Sequence, residues 1–182
     1  CSRILLESIP VLLAGGLLGT ISGSVLGTSY DGLIGVGGVL IMIPAFLEDG
    51  GAIGGILAAK FSSALHLGSL EYARFPSARA RKLFVIMHVI GLPVFALLGG
   101  MAFVISGAIG VSSPSIYEMM FAAILAGEIL ILAVNFIAYY ASIVAFRLGF
   151  DPDNVTIPLI TSLMDVLGMS SLLGVLLLLG TL

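Results

Sequence analysis

Charge is what this sequence lacks. Only 9% of its 182 residues are Asp, Glu, Lys or Arg, against 59% hydrophobic, and the mean hydropathy is +1.24. Soluble domains carry about 25% charged residues, and no soluble fold of this length has interior enough to hide so much apolar surface. Lipid must therefore be the solvent for most of the chain. Basic residues are scarcer still. Seven of them, scattered, make no phosphate-binding face, which removes nucleic acid as a partner. The one cysteine, Cys1, excludes an intrachain disulfide. The only histidines, His66 and His88, fall on different apolar runs and argue against a His-based metal site. No linker, low-complexity segment or internal repeat is visible. The chain starts with Cys1 rather than Met, which suggests a piece of a longer protein in which a soluble N-terminal region could precede it.

What is present is a set of long apolar runs. A crossing of the bilayer takes about 20 residues at about 1.5 Å each. Five fit, at 4–26, 33–67, 83–105, 115–146 and 154–182, with the second interrupted near 48–51 by Glu48-Asp49-Gly50-Gly51. The basic residues decide between five and six. Arg74, Arg79, Arg81 and Lys82 lie between the second and third runs, and Arg3 and Arg147 flank the first and fourth. Five spans put them all on one side, whereas six would split them. The expectation is an all-α membrane protein with five transmembrane helices, a cytoplasmic N-terminus and an outside C-terminus, multi-pass in a cell membrane and solvated by lipid. Ser113-Pro114 predicts a cap and first-turn proline for the fourth helix, and Asp151-Pro152-Asp153-Asn154 a cap for the fifth.

Ionisable groups inside a membrane are costly, so each needs a reason. Asp165 lies eleven residues past Asn154, about 16 Å along the axis and near the midplane. Thr161, Gly168 and Met169 share its face, which reads as pore-lining. Pro158 either sits in the first turn or frees a backbone carbonyl. Glu128 on the fourth helix heads a polar stripe with Asn135 and Tyr139, and Glu48 and Asp49 fall mid-way along the second. No Lys or Arg occurs between Lys82 and Arg147, and only Lys60 lies within a span. The acids are therefore either protonated or visited by a cation, and oxygen ligands suit hard divalent ions such as Mg2+ and Ca2+.

Two stretches resemble a known family. Ile43-Pro44-Ala45-Phe46-Leu47, then Gly51, then Leu57-Ala58-Ala59-Lys60-Phe61-Ser62-Ser63-Ala64 is similar to the second-helix signature of the MgtE magnesium transporters and their eukaryotic solute-carrier relatives. Asp151-Pro152-Asp153-Asn154-Val155-Thr156-Ile157-Pro158-Leu159, with Thr161-Ser162 and Asp165, is similar to their fifth-helix signature. The chain departs from the family pattern at Ala52, where an Asn is usual, and at Gly54, where a polar residue is usual, which leaves Glu48 and Asp49 to substitute. The soluble regulatory domains typical of the bacterial members are not in this stretch.

The resemblance implies a homodimer transporting divalent cations, with Mg2+ as the transported ion and no organic cofactor. It implies a pore near the two-fold axis lined by the second and fifth helices. Asp165 would hold a largely hydrated ion, with Thr161, Gly51, Glu48, Asp49 and Glu128 as further candidates and Asp153 at the cytoplasmic mouth. Three rivals stand beside this reading. One is a proton- or Na+-coupled carrier in which Glu128 or Asp165 changes protonation. Another is a structural or assembly subunit. The third is an enzyme, an intramembrane aspartyl protease using Asp49 and Asp165, which lacks the Gly-x-Gly-Asp signature of that class; no enzymatic activity is expected.

Overall fold

The computed structural model describes residues 2–70 and 74–181. Among these every regular element is a helix: α1 (Ser2–Thr28), the short α2 (Tyr30–Ile34), α3 (Gly37–His66), α4 (Ala78–Ile109), α5 (Ile116–Arg147) and α6 (Pro152–Leu178). Five of these are long and apolar enough to cross a membrane. The protein is a multi-pass integral membrane protein.

The interruption expected near 48–51 is absent. α3 runs unbroken through Glu48-Asp49-Gly50-Gly51, and the break comes earlier, at Gly35 and Val36 after α2. Glycine costs a helix about 1 kcal/mol in water, but with no water to take the backbone groups the helical hydrogen bonds are retained across it. The cap of α5 also shifts, from Ser113 to Ser115. Ser115 Oγ accepts from the Glu118 N–H at 3.3 Å, and the Glu118 carboxylate accepts from the Ser115 N–H at 2.7 Å. This is a Ser-x-x-Glu capping box. α6 starts as the sequence suggests, with Asp151 accepting from the Asp153 N–H at 3.1 Å and Pro152 in the first turn.

α5 is the central helix, packed on α3, α4 and α6, whereas among the long helices α1 touches α6 only. Apolar surface gains nothing by leaving lipid for protein, so close packing of small residues holds the bundle. At Gly99 a Cβ would stand 2.6 Å from the Met119 carbonyl oxygen, so α4 and α5 meet backbone to backbone. α3 and α6 also close on glycines, but here the glycines seat side chains: Gly54 faces Ile160 and Gly168 faces Leu47.

One end of the bundle is knotted by polar bonds. Arg3 donates to Glu7 and to the Gly149 carbonyl, both at 2.7 Å, while Glu7 accepts from Asn154 Nδ2 at 2.9 Å and from the Asp151 N–H at 3.2 Å. Tyr140 donates to the Arg74 carbonyl at 3.0 Å and Tyr139 to that of Phe75 at 3.2 Å. Arg3, Arg74, Arg147 and the start of α4 with Arg79, Arg81 and Lys82 therefore gather at this end.

Candidate functional site

Asp165 is the fourteenth of the 27 residues of α6, and Glu48 the twelfth of the 30 of α3. The helices run antiparallel in the register Leu47 to Gly168, Gly50 to Met164 and Gly54 to Ile160, which brings the two acids within about one helical turn of the same level. Both line an open groove of about 460 Å3 with Gly51, Ala52, Gly55, Thr161 and Ser162. A second cleft of about 380 Å3 also reaches Asp165, lined by Gly19, Ser22, Gly23 and Pro44 among others, and it shares Leu47 with the first. The first lies toward the basic end of the bundle and the second toward the opposite end. They meet at Asp165, and no Lys or Arg lines either.

Local chemistry shapes this meeting point. Pro158 stands inside α6, not in its first turn, so the Asn154 carbonyl has no helical donor and takes the Ser8 hydroxyl of α1 at 3.2 Å. One turn on, Thr161 and Ser162 turn their hydroxyl hydrogens onto the Pro158 carbonyl at 3.0 and 2.9 Å. Each oxygen keeps lone pairs as an acceptor, and both residues line the groove. Ser22 of α1 donates to the Asp165 carbonyl at 2.8 Å. At Gly51 a Cβ would meet nothing within 4 Å, so that residue faces open space.

The sequence candidates thus divide. Asp165, Thr161, Glu48 and Gly51 come together. Asp49 turns the other way, into a cleft lined by Val94, Leu97 and Leu98 of α4. Glu128 lies on the α4 side of α5 and is bonded to His88, while Asp153 is exposed in the first turn of α6 at the basic end. Sequence reasoning missed Ser8 and Ser22, because a serine in an apolar run carries no mark of what it will face. It also used His88 as an argument against a His-based metal site, with no local signal that Glu128, forty residues on, would be its partner. Among the described residues no group of three or more His, Cys, Asp or Glu side chains gathers to hold a metal. Any ion here meets one or two carboxylates with hydroxyl, carbonyl and water oxygens.

No curated protein matches the chain. Residues 43–175, most of its length, match the family described as a divalent cation transporter, and this stretch contains α4, α5, the groove and Asp165. The chain belongs to the MgtE family of divalent cation transporters.

Proposed function

We propose that residues 1–182 act as one transmembrane domain that passes divalent cations, Mg2+ first among them, through the α3–α6 groove at the axis of a homodimer. In this reading the basic end is cytoplasmic, so the N-terminus lies inside and the C-terminus outside. The observation that supports it most is the meeting of two clefts at Asp165, one lying toward each end of the bundle.

Charge argues for the sign of the ion. Two carboxylates at mid-depth, with no basic residue lining the clefts, favour a cation and repel anions. Geometry argues for a second copy. A carboxylate facing hydrocarbon costs roughly 2.5–3.5 kcal/mol on insertion scales. A two-fold partner would cover the open side and bring a second Asp165 to the axis.

Mg2+ keeps much of its octahedral water shell. At about 30 Å3 per water, six waters need about 180 Å3, which fits within a groove of about 460 Å3. Asp165 and Glu48 would accept hydrogen bonds from those waters, as would the Thr161 oxygen, and the bare backbone at Gly51 gives the shell room. Asp153 would draw cations to the cytoplasmic mouth. The pathway needs no organic cofactor.

The test is Mg2+ entry into proteoliposomes loaded with a Mg2+-sensitive dye, comparing the chain with Asp165→Asn. Loss of flux by about tenfold or more, as expected for removing about 1.4 kcal/mol or more of ion interaction, supports the reading. Equal flux in both proteins overturns it.

A further inference from the structure

Between α4 and α5, apart from the groove, three polar side chains meet inside the membrane. His88 of α4 bonds Glu128 of α5 through Nδ1, and Asn135, two turns along α5, sets its amide Nδ2 3.2 Å from His88 Nε2. The His88 and Glu128 side chains are 29% and 24% exposed, and Asn135 is 1% exposed. Gly91 makes room for Ile131, whose Cδ1 occupies the place of a Cβ there, and leaves Glu128 Oε1 in ordinary contact at 3.4 Å. Two acceptors in the cluster, Glu128 Oε1 and Asn135 Oδ1, are buried with no hydrogen-bond partner among the described residues.

Two hydrogen-bond patterns fit these atoms, and they differ in charge. With Asn135 donating, Nε2 is an acceptor, so the imidazole is neutral and its Nδ1–H donates to an ionised Glu128. The cluster then carries one negative charge. A proton added at Nε2 makes an imidazolium and cancels that charge. Half a rotation of the Asn135 amide then presents Oδ1 to the new N–H and gives the orphaned oxygen a donor. The two arrangements differ by one proton and one amide rotation. Apolar surroundings favour the uncharged one and water access the charged one.

We propose that His88, Glu128 and Asn135 form an intramembrane site for one exchangeable proton, whose occupancy sets the rate at which divalent cations pass the α3–α6 groove. The second half of this rests on the groove reading above.

α5 supplies the mechanical link. On one side Gly127 and Ile131 seat against Phe95 and Gly91 of α4, around the cluster. On the other side Leu130 wedges where α3 meets α6: its Cδ2 lies 2.9 Å from the Cβ position of Gly50 and 3.5 Å from that of Gly168. Gly50 lies two residues from Glu48 and Gly168 three from Asp165, so repacking around His88 has a route to the groove through one residue of α5.

Other ionisable groups on these helices face elsewhere. Asp49 of α3 lies in the cleft toward Val94 and Leu98 of α4, and Glu48 of α3 and Asp165 of α6 line the groove. Lys60 of α3 is exposed, and His66 lies 4.0 Å from Asp151 at the basic end. Tyr139 of α5 donates to the Phe75 carbonyl, Glu118 is held in its capping box, and Arg147 ends α5. Arg79, Arg81 and Lys82 stand at the start of α4.

The test combines two readouts. Mg2+ flux is measured at matched inside and outside pH for the unaltered chain, Glu128→Gln and His88→Gln. In parallel, 15N NMR of histidine-labelled His66→Gln protein in lipid nanodiscs follows His88 as the sole imidazole. The expected result is a flux change of about threefold or more between roughly pH 6 and 8, flat in both cluster variants, with His88 passing from imidazolium to imidazole over the same range. A flat profile in the unaltered chain overturns the rate control, as does an unaltered profile in the variants, which would assign the titration to another group such as Asp49. If folded protein carries no Mg2+ at any pH, the groove reading has failed. The NMR titration then decides the proton site by itself: a titrating His88 sustains it, and one fixed from about pH 5 to 9 removes it.

Discussion

Ser22 donates its hydroxyl to the backbone carbonyl of Asp165 across 2.8 Å, joining α1 to α6 at the level of the acid half-way along α6. Nearer the basic end Ser8 does the same for Asn154, whose carbonyl Pro158 has left without a helical donor. The Glu7 carboxylate then clamps the first turn of α6. Since α6 is the one long helix that α1 touches among the described residues, these bonds join the packing of the two helices in fixing the height of α1 along the bundle. They hold the backbone of α6 while the Asp165 side chain remains on the groove.

Removing the Ser22 hydroxyl should therefore loosen α1 without dismantling the site. Ser22→Ala is expected to lower stability by about 1 kcal/mol, the scale of one interhelical hydrogen bond in a membrane. Mg2+ flux should change only a few-fold, because the carboxylate stays. Thermal unfolding in detergent paired with the dye assay measures both. Loss of flux as complete as in Asp165→Asn would mean that Ser22 itself belongs to the pathway.

Two glycines of α3, three residues apart, should respond in opposite ways to an added side chain. Gly51 faces open groove, so Gly51→Leu is expected to fold normally and to obstruct the pathway. Gly54 faces Ile160 at 2.7 Å and Met164 at 3.3 Å, so Gly54→Val should cost about 1–3 kcal/mol by overpacking. Unfolding curves and flux on the same preparations separate a blocked groove from a broken bundle.

The five spans were legible because hydropathy and the Arg and Lys positions are one-dimensional signals that lipid enforces residue by residue. Asp165 was legible for the same reason, as an acid half-way along an apolar run. The facing of Glu48 and Asp49 was not. Adjacent residues on a helix point about 100° apart, and only the packing of α4 on α3 decides which of the two meets the groove. The apparent break at Gly50-Gly51 misled because glycine reads as punctuation in water and as a contact surface in a membrane bundle. The capping box at Ser115 and Glu118 was readable from its spacing alone, and Ser113-Pro114 drew attention from it.

That divergence predicts a split between neighbours. Glu48→Gln is expected to weaken Mg2+ flux at low ion concentration by about tenfold, the effect of about 1.4 kcal/mol, because its carboxylate shares the groove with Asp165. Asp49→Asn, in the cleft toward α4, should leave the concentration dependence within about twofold. Initial rates across a Mg2+ series decide it. Equal effects would place both acids on the pathway.

The proposed homodimer makes a prediction that does not depend on flux. If a second copy covers the open side of the groove, residues lining that side approach their own symmetry mates, whereas residues in the α3–α4 cleft do not. In a Cys1→Ser background, Gly51→Cys is therefore expected to form a covalent dimer with a short bis-maleimide in lipid nanodiscs, and Asp49→Cys to remain monomeric on denaturing gels. Gly51 suits the experiment because a Cβ there meets nothing within 4 Å, so the thiol enters the groove without displacing protein. The opposite pattern would move the axis to the α3–α4 face. The groove would then open to lipid with two carboxylates at mid-depth, an arrangement whose cost of several kcal/mol requires some other cover.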